Sequence, residues 1–222
     1  MTRATPIASA IIGSLALVAG AGEPVPLFNG RDLDGWIQRG GKAHYTAAGG
    51  EIIGRAVPGT PNSFLCTQRA YTNFVLELEF LPHRDLNSGV QVRSEAFDVP
   101  RRIVSKDRTN HMAAGRVHGY QVEIDPSKRA WTGGIYDEAR RGWLVDLKTN
   151  DAARAAFKPD AWNALRIECI DDRIRTWLNG VPAADLRDSM TRSGFIALQV
   201  HGIGKKTNDL AIRWRNLRIE ER

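Results

Sequence analysis

Cysteine is scarce: Cys66 and Cys169 are the only two among 222 residues. Their separation fits no zinc-ligand spacing, which excludes a structural zinc motif. In an oxidising compartment the two can pair. Equally, both fall in strand-like runs, where a free cysteine packs as a small apolar residue. Also missing is any block of like charge. The formal net charge is +6, yet the basic residues are scattered apart from pairs such as Arg101–Arg102, Arg140–Arg141 and Lys205–Lys206. With no basic stripe interleaved with aromatics and no base-reading motif, the sequence speaks against nucleic-acid binding. It contains no internal repeat, no low-complexity linker and no succession of helical crossovers, which removes repeat arrays and parallel α/β layers.

Long apolar runs are missing too, with one exception near the start. Arg3 supplies a thin positive segment, Ile7–Val18 is almost wholly apolar, and Ala19–Ala21 offers the small residues that a signal peptidase reads. The run falls short of the roughly 20 residues a membrane span needs. No cysteine sits beside the cleavage point to carry a lipid. The expectation is a signal peptide over 1–21 and a domain over 22–222, periplasmic or secreted, without a transmembrane anchor.

What is present is strand after strand. Hydrophobic content of 42% and charged content of 25% are ordinary for a chain with a proper core. In Phe74–Phe80 ("FVLELEF"), Leu76, Leu78 and Phe80 alternate with Glu77 and Glu79. Ala164–Ile170, an Asp-Asp turn and Arg173–Gly180 read as a hairpin, and Asn179–Gly180 makes a second tight turn into Val181. Asn150–Phe157 is the one helical patch, ending before Pro159. Many short alternating strands predict an all-β fold of two packed antiparallel sheets. Ala96–Arg116 is the longest irregular piece, and loops of that length in compact domains usually serve as lids or binding loops.

Alternation also predicts a polar surface. In Arg116–Ser127 ("RVHGYQVEIDPS"), Tyr120, Val122 and Ile124 point one way, and Gln121, Glu123 and Asp125 the other. The same parity sends Gln91, Arg93 and Glu95 outward from Val90 and Val92. It turns Gln199 and His201 away from Leu198 and Val200, and Arg175 and Trp177 away from Ile174 and Leu178. Four strands thus place amides, carboxylates, a guanidinium, an imidazole and an indole on one non-core face. Such a face suits an oligosaccharide or other glycoside, whose apolar side stacks on rings while its hydroxyls pair with polar groups.

Six stretches also resemble a known family. Leu27–Ile37 ("LFNGRDLDGWI"), Asn87–Arg93 ("NSGVQVR"), Gly119–Ser127 ("GYQVEIDPS"), Thr132–Asp137 ("TGGIYD"), Trp162–Gly180 and Gly194–Gly202 ("GFIALQVHG") stand in the order typical of the 3-keto-disaccharide hydrolases. That family is also described as 3-keto-glucoside 1,2-lyase and 3-keto-2-hydroxy-glucal hydratase. The resemblance implies a concanavalin-like jelly-roll sandwich, usually exported, and an enzyme that cleaves 3-keto-glycosides by elimination, hydration or net hydrolysis. Elimination needs a base near C2, a cation or donors for the oxyanion, and an acid for the leaving oxygen. The chemistry so implied assigns His201, Glu123 and Asp125 to acid–base work. It gives Arg93, Gln121, Gln199 and Tyr136 to the ketone and hydroxyls, and Trp177 to stacking. His118 either joins the site or, with His111 and a carboxylate, ligates a divalent ion. Metal use is known among relatives, but no ligand spacing fixes it here, so the cofactor stays open.

Two rivals share this fold. A retaining endoglycanase of the laminarinase type carries Glu-x-Asp-x(-x)-Glu, its catalytic carboxylates about 5 Å apart. Here Glu123 and Asp125 are followed by Pro126, Ser127 and Lys128, so the last carboxylate is missing. A non-catalytic, lectin-like carbohydrate-binding module remains the alternative, because architecture alone does not separate it from an enzyme.

Overall fold

The structure, a computed structural model, describes residues 22–105 and 108–222. The expected signal peptide, 1–21, lies outside the described residues. Two antiparallel sheets pack face to face. The seven-stranded sheet runs, edge to edge, Gly142–Val145, Ile135–Glu138, His118–Ile124, Ser88–Glu95, Phe195–Val200, Ser63–Thr67 and Trp36–Gly40. The other runs Val181–Arg187, Arg173–Leu178, Asn163–Ile170, Phe74–Leu81, Ala211–Glu221, Glu51–Arg55 and His44–Ala48, with Val25–Pro26 added beside Ala211–Glu221 as its eighth strand. This is the expected jelly-roll sandwich, all-β but for one turn-and-a-half of helix.

Alternation drives the packing. Phe74, Leu76, Leu78 and Phe80 face Val90, Val92, Tyr120, Val122, Ile124 and Leu198 across the interior, with Leu165, Ile167, Ile212 and Trp214 completing one apolar cluster. Each such side chain contributes about 1.5–3 kcal/mol on burial. The helix is Asp151–Ala156; the Asn150 side chain accepts from the Ala153 N–H at 3.1 Å and caps it. The hairpin expected around Asp171–Asp172 forms, pairing Asn163–Ile170 with Arg173–Leu178.

The stretch 96–116 is less irregular than its sequence suggests, because Arg101–Ser105 pairs with Arg108–Met112 as a separate two-stranded ribbon. The cysteines do not pair. Cys169 belongs to the main core, whereas Cys66 sits in a small second cluster with Phe64, Val117 and Ala197. Burial pushes both thiols up to about 12, which leaves them inert.

One irregularity decides which side chains reach the outer face of the seven-stranded sheet. Tyr120 pairs with Val92 and His118 with Glu95, so Arg93 and Ser94 together oppose Gly119. This is a β-bulge. Arg93 takes φ +47° and Gly119 φ +137°, where a Cβ would lie 2.4 Å from Ser94 Oγ. The extra residue reverses the parity of the strand beyond Val92.

Candidate functional site

Gln91, Gln121 and Gln199 come side by side on three adjacent strands of the seven-stranded sheet: Gln121 pairs with Gln91, and Gln91 with Ala197 two residues before Gln199. Gln121 fits because its neighbour Gly89 has no side chain; a Cβ there would meet Gln121 Cγ at 2.5 Å. Gln91 Nε2 and Gln199 Nε2 both donate to Gln121 Oε1, at 2.7 and 2.8 Å. Gln121 Nε2 donates to Glu123 Oε2 at 2.9 Å, and Asn87 Nδ2 to Glu123 Oε1 at 2.6 Å. Ser94 Oγ donates to Gln91 Oε1 at 2.7 Å. Gln199 Oε1 finds no partner among the described residues, which leaves an acceptor for a ligand hydroxyl.

These amides floor a cleft of about 360 Å³ whose walls include Glu123, Glu138, Arg129, Tyr136, Trp143, His201 and Asn62. Burial raises the Glu123 carboxyl above the usual range, against the hydrogen bonds from Asn87 and Gln121. Burial likewise raises Glu138, opposed chiefly by the positive charge of Arg116. His201 is exposed, and its Nδ1 lies 2.8 Å from the Gly202 carbonyl. A carbonyl only accepts, so Nδ1 carries the proton and Nε2 of the neutral ring keeps its lone pair.

Arg129 brings the cation. Its Nε donates to Asp125 Oδ2 at 2.7 Å, and its guanidinium packs 4.5 Å from the Trp131 ring centre and 5.1 Å from that of Trp143. Its Nη2 reaches within 3.7 Å of Glu123 Oε1. Trp143 in turn meets Tyr136 edge-on, ring centres 5.3 Å apart. The rings hold the guanidinium by stacking.

Of the residues expected from sequence, Glu123, Gln121, Gln199, Tyr136 and His201 line this cleft. Four do not. Arg93 is carried by the bulge to the end of the sandwich, where it is fully buried. There it donates to the Thr72 and Asp171 carbonyls, at 2.7 and 2.6 Å, and to Asn73 Oδ1 at 3.1 Å. Asp125 follows the expected parity but is spent on its own loop, accepting from the Ser127 N–H at 3.1 Å, Arg129 Nε and the Trp131 N–H at 3.3 Å. Burial pushes its carboxyl up, yet the bonds from Ser127 and Arg129 outweigh this and hold it below the usual range. Trp177 stands on the eight-stranded sheet, so it cannot serve this face. It lines a larger recess of about 840 Å³ there, where Arg166 is already paired with Glu77 at 2.7 Å.

His118 is fully buried against Phe97, ring centres 4.6 Å apart, and neither ring nitrogen has a partner among the described residues. Burial and the nearby Arg140 lower it to about 4. His111 lies apart from it on the two-stranded ribbon. Among the described residues no three His, Cys, Asp or Glu side chains gather as a metal-ligating group, so the expected His/His/carboxylate set is not assembled.

Sequence reasoning missed Glu138, Arg129, Asn87, Trp143 and Asn62. Glu138 was findable, since it stands two residues beyond Tyr136 on the same strand and so shares its face. Asn87 opens the "NSGV" stretch but precedes its strand. Arg129 and Trp143 lie where no alternation pattern reaches.

The family model for the 3-keto-alpha-glucoside-1,2-lyase-like domain matches residues 23–220. No curated protein matches the chain. Among solved structures, the chain is similar to a candidate glycosyl hydrolase from Parabacteroides distasonis ATCC 8503, at 17% identity and TM-score 0.57, covering 90% of this chain and 94% of that one. It is similar to a carbohydrate-binding module from Bacillus subtilis at 18% identity and TM-score 0.57, covering 84% and 96%. A Bacillus subtilis protein of unknown function with a galectin-like fold aligns at 13% identity and TM-score 0.61, covering 90% and 96%. At these identities the structural likeness shows the fold.

Proposed function

Because the chain belongs to the 3-keto-alpha-glucoside-1,2-lyase-like family, and is on that ground a carbohydrate-active protein, we propose that it cleaves 3-keto-glucosides by elimination across C1 and C2. The observation that carries this reading is the meeting of His201, Glu138, Glu123 and Arg129 in one amide-floored cleft. A ketone at C3 acidifies the C2 proton. His201 Nε2 takes that proton, and the electron pair moves onto the ketone oxygen, where the Arg129 guanidinium stabilises the negative charge. The pair returns as the C1–C2 double bond while the C1–O bond breaks, and Glu138 gives its proton to the departing oxygen. The products are the 3-keto-2-hydroxy-glucal and the free alcohol. Water added across the double bond then completes net hydrolysis.

Base and acid must serve adjacent carbons, so they must be neighbours. His201 and Glu138 both line the amide-floored cleft. Glu123, Gln121 and Gln199 supply acceptors and donors for the remaining hydroxyls. Asp125 is a positioning residue here, holding Arg129 rather than touching sugar. We place the protein outside the cytoplasm on the strength of its N-terminal apolar segment, which fractionation of expressing cells would check.

The test incubates purified protein with a 3-keto-glucoside and with its unoxidised parent, with and without chelator. Turnover of the ketone alone is expected, and His201→Ala and Glu138→Gln should each lower it about 100-fold or more in folded protein. Cleavage of the parent alone, or full activity in both variants, would overturn the mechanism. Binding without turnover of either compound would leave a lectin-like module.

A further inference from the structure

We infer that the cleft continues into a second, apolar subsite that receives the aglycone of the glycoside, and that its shape selects a flat aromatic one; this rests on the reaction proposed above. A pocket of about 270 Å³ adjoins the amide-floored cleft and shares two of its residues, Asn62 and Glu138. Its remaining side chains are mostly carbon: Phe64, Val117 and Pro61, with Arg116 at the edge. Phe64 lies directly opposite Gln199 on the adjacent strand, so the floor passes from amide to ring within one strand spacing.

The outer face of the seven-stranded sheet carries an apolar cluster separate from the interior one, built from Phe64, Cys66, Val117 and Ala197. Part of that cluster seats the long segment between Glu95 and His118, since Ala96 packs on it. The end of the same segment, Arg116 and Val117, forms one wall of the pocket, facing Phe64 and Pro61. A dry cavity of about 150 Å³ already accepts benzene, so about 270 Å³ takes an aryl ring with a substituent. A second hexose would need a partner for nearly every hydroxyl. The walls offer Arg116, Asn62 and Glu138, and Arg116 is engaged with Glu138 at 3.9 Å.

Glu138 stands at the junction of the two spaces. A sugar ring in the polar cleft with its C1 substituent in the apolar pocket puts the glycosidic oxygen between them, beside the group assigned to protonate it. Upon elimination the C1–O bond breaks, the proton passes from Glu138 to the oxygen, and a phenol is left in the apolar pocket.

Calorimetric titration with phenyl and methyl glucosides of each anomer tests this without any turnover, because these compounds lack the ketone. Phenyl should bind about tenfold or more tightly than methyl, the scale expected for burying one ring. Val117→Phe, checked for folding by thermal melting, should erase that advantage and leave methyl glucoside binding unchanged. Should the variant not fold, displacement of bound phenyl glucoside by free phenol in the native protein serves instead. Equal affinity for the two glucosides, no binding of either, or no displacement by phenol overturns the subsite. Turnover of 3-keto-glucosides with no phenyl preference in binding would sink the subsite and spare the reaction. A phenyl preference in protein that leaves 3-keto-glucosides intact would do the reverse.

Discussion

His118 should make the fold lose stability to acid from about pH 6.5 downward. The ring is fully buried on Phe97 with neither nitrogen satisfied. Burial, then the Arg140 and Arg116 charges, disfavour protonation, and Asp137 opposes them only in part. In the unfolded chain the same ring titrates near 6.5; folded, it is held to about 4. Between those values the unfolded state binds the extra proton, so stability rises with pH across the interval and is lost as pH falls through it. At about 1.4 kcal/mol per pH unit the interval holds roughly 3 kcal/mol. Urea unfolding at half-unit steps from pH 4 to 7 should show that slope in the native protein, and His118→Phe should remove it. The packing cost of the larger ring moves the variant curve vertically and leaves the slope difference intact. Glu123 and Glu138, with raised carboxyls, contribute in the opposite sense over part of the range. They do so in both proteins and cancel in the comparison. Parallel curves would refute the argument.

Two further outcomes separate structure from chemistry. Arg93→Met removes a fully buried guanidinium together with its bonds to the Thr72 and Asp171 carbonyls and to Asn73 Oδ1, which keeps only the Asp171 N–H at 3.0 Å. It should cost roughly 3 kcal/mol or more in chemical denaturation, while kcat of the folded fraction stays unchanged; a selective loss of kcat would restore Arg93 to the site. Trp177→Ala removes a ring flanked by Arg166 and Arg175, at 5.6 and 5.3 Å. Turnover should stay within about twofold, with about 1 kcal/mol lost in stability. A large drop in turnover would mean that the eight-stranded sheet takes part.

The sandwich was legible because alternation is a local signal. Phe74–Leu81 and Asn163–Ile170 each bury the side that their pattern marks, and His118–Ile124 turns its marked side to the interior while its other face is buried under the site. Gln121, Glu123 and Gln199 were legible for the same reason, being on strand stretches whose period runs unbroken, and His201 continues the period one residue past Val200. Arg93 was not, since a bulge is a property of two strands in register and the sequence of one does not announce it. Trp177 was placed on the proper side of its own strand and on the wrong sheet, because parity gives a face and says nothing of which sheet owns it. Arg129 and Trp143 owe their positions to one another, through cation–ring packing between a loop and an edge strand. Such contacts exist only once the chain is folded.

The row of amides beneath the cleft has a direction. Glu123, as an anion, can only accept, so Gln121 must turn its nitrogen toward it and its oxygen toward Gln91 and Gln199, and Gln199 is left offering an oxygen. One negative charge therefore dictates the polarity of a surface two strands away. Neutralising it, by a proton or by Glu123→Gln, lets every amide rotate end for end, and the far terminus would then offer hydrogen where it had offered a lone pair. Sugar epimers differ by where such a partner is wanted, so a substitution at one end of the row would be felt as a change of stereochemical preference at the other.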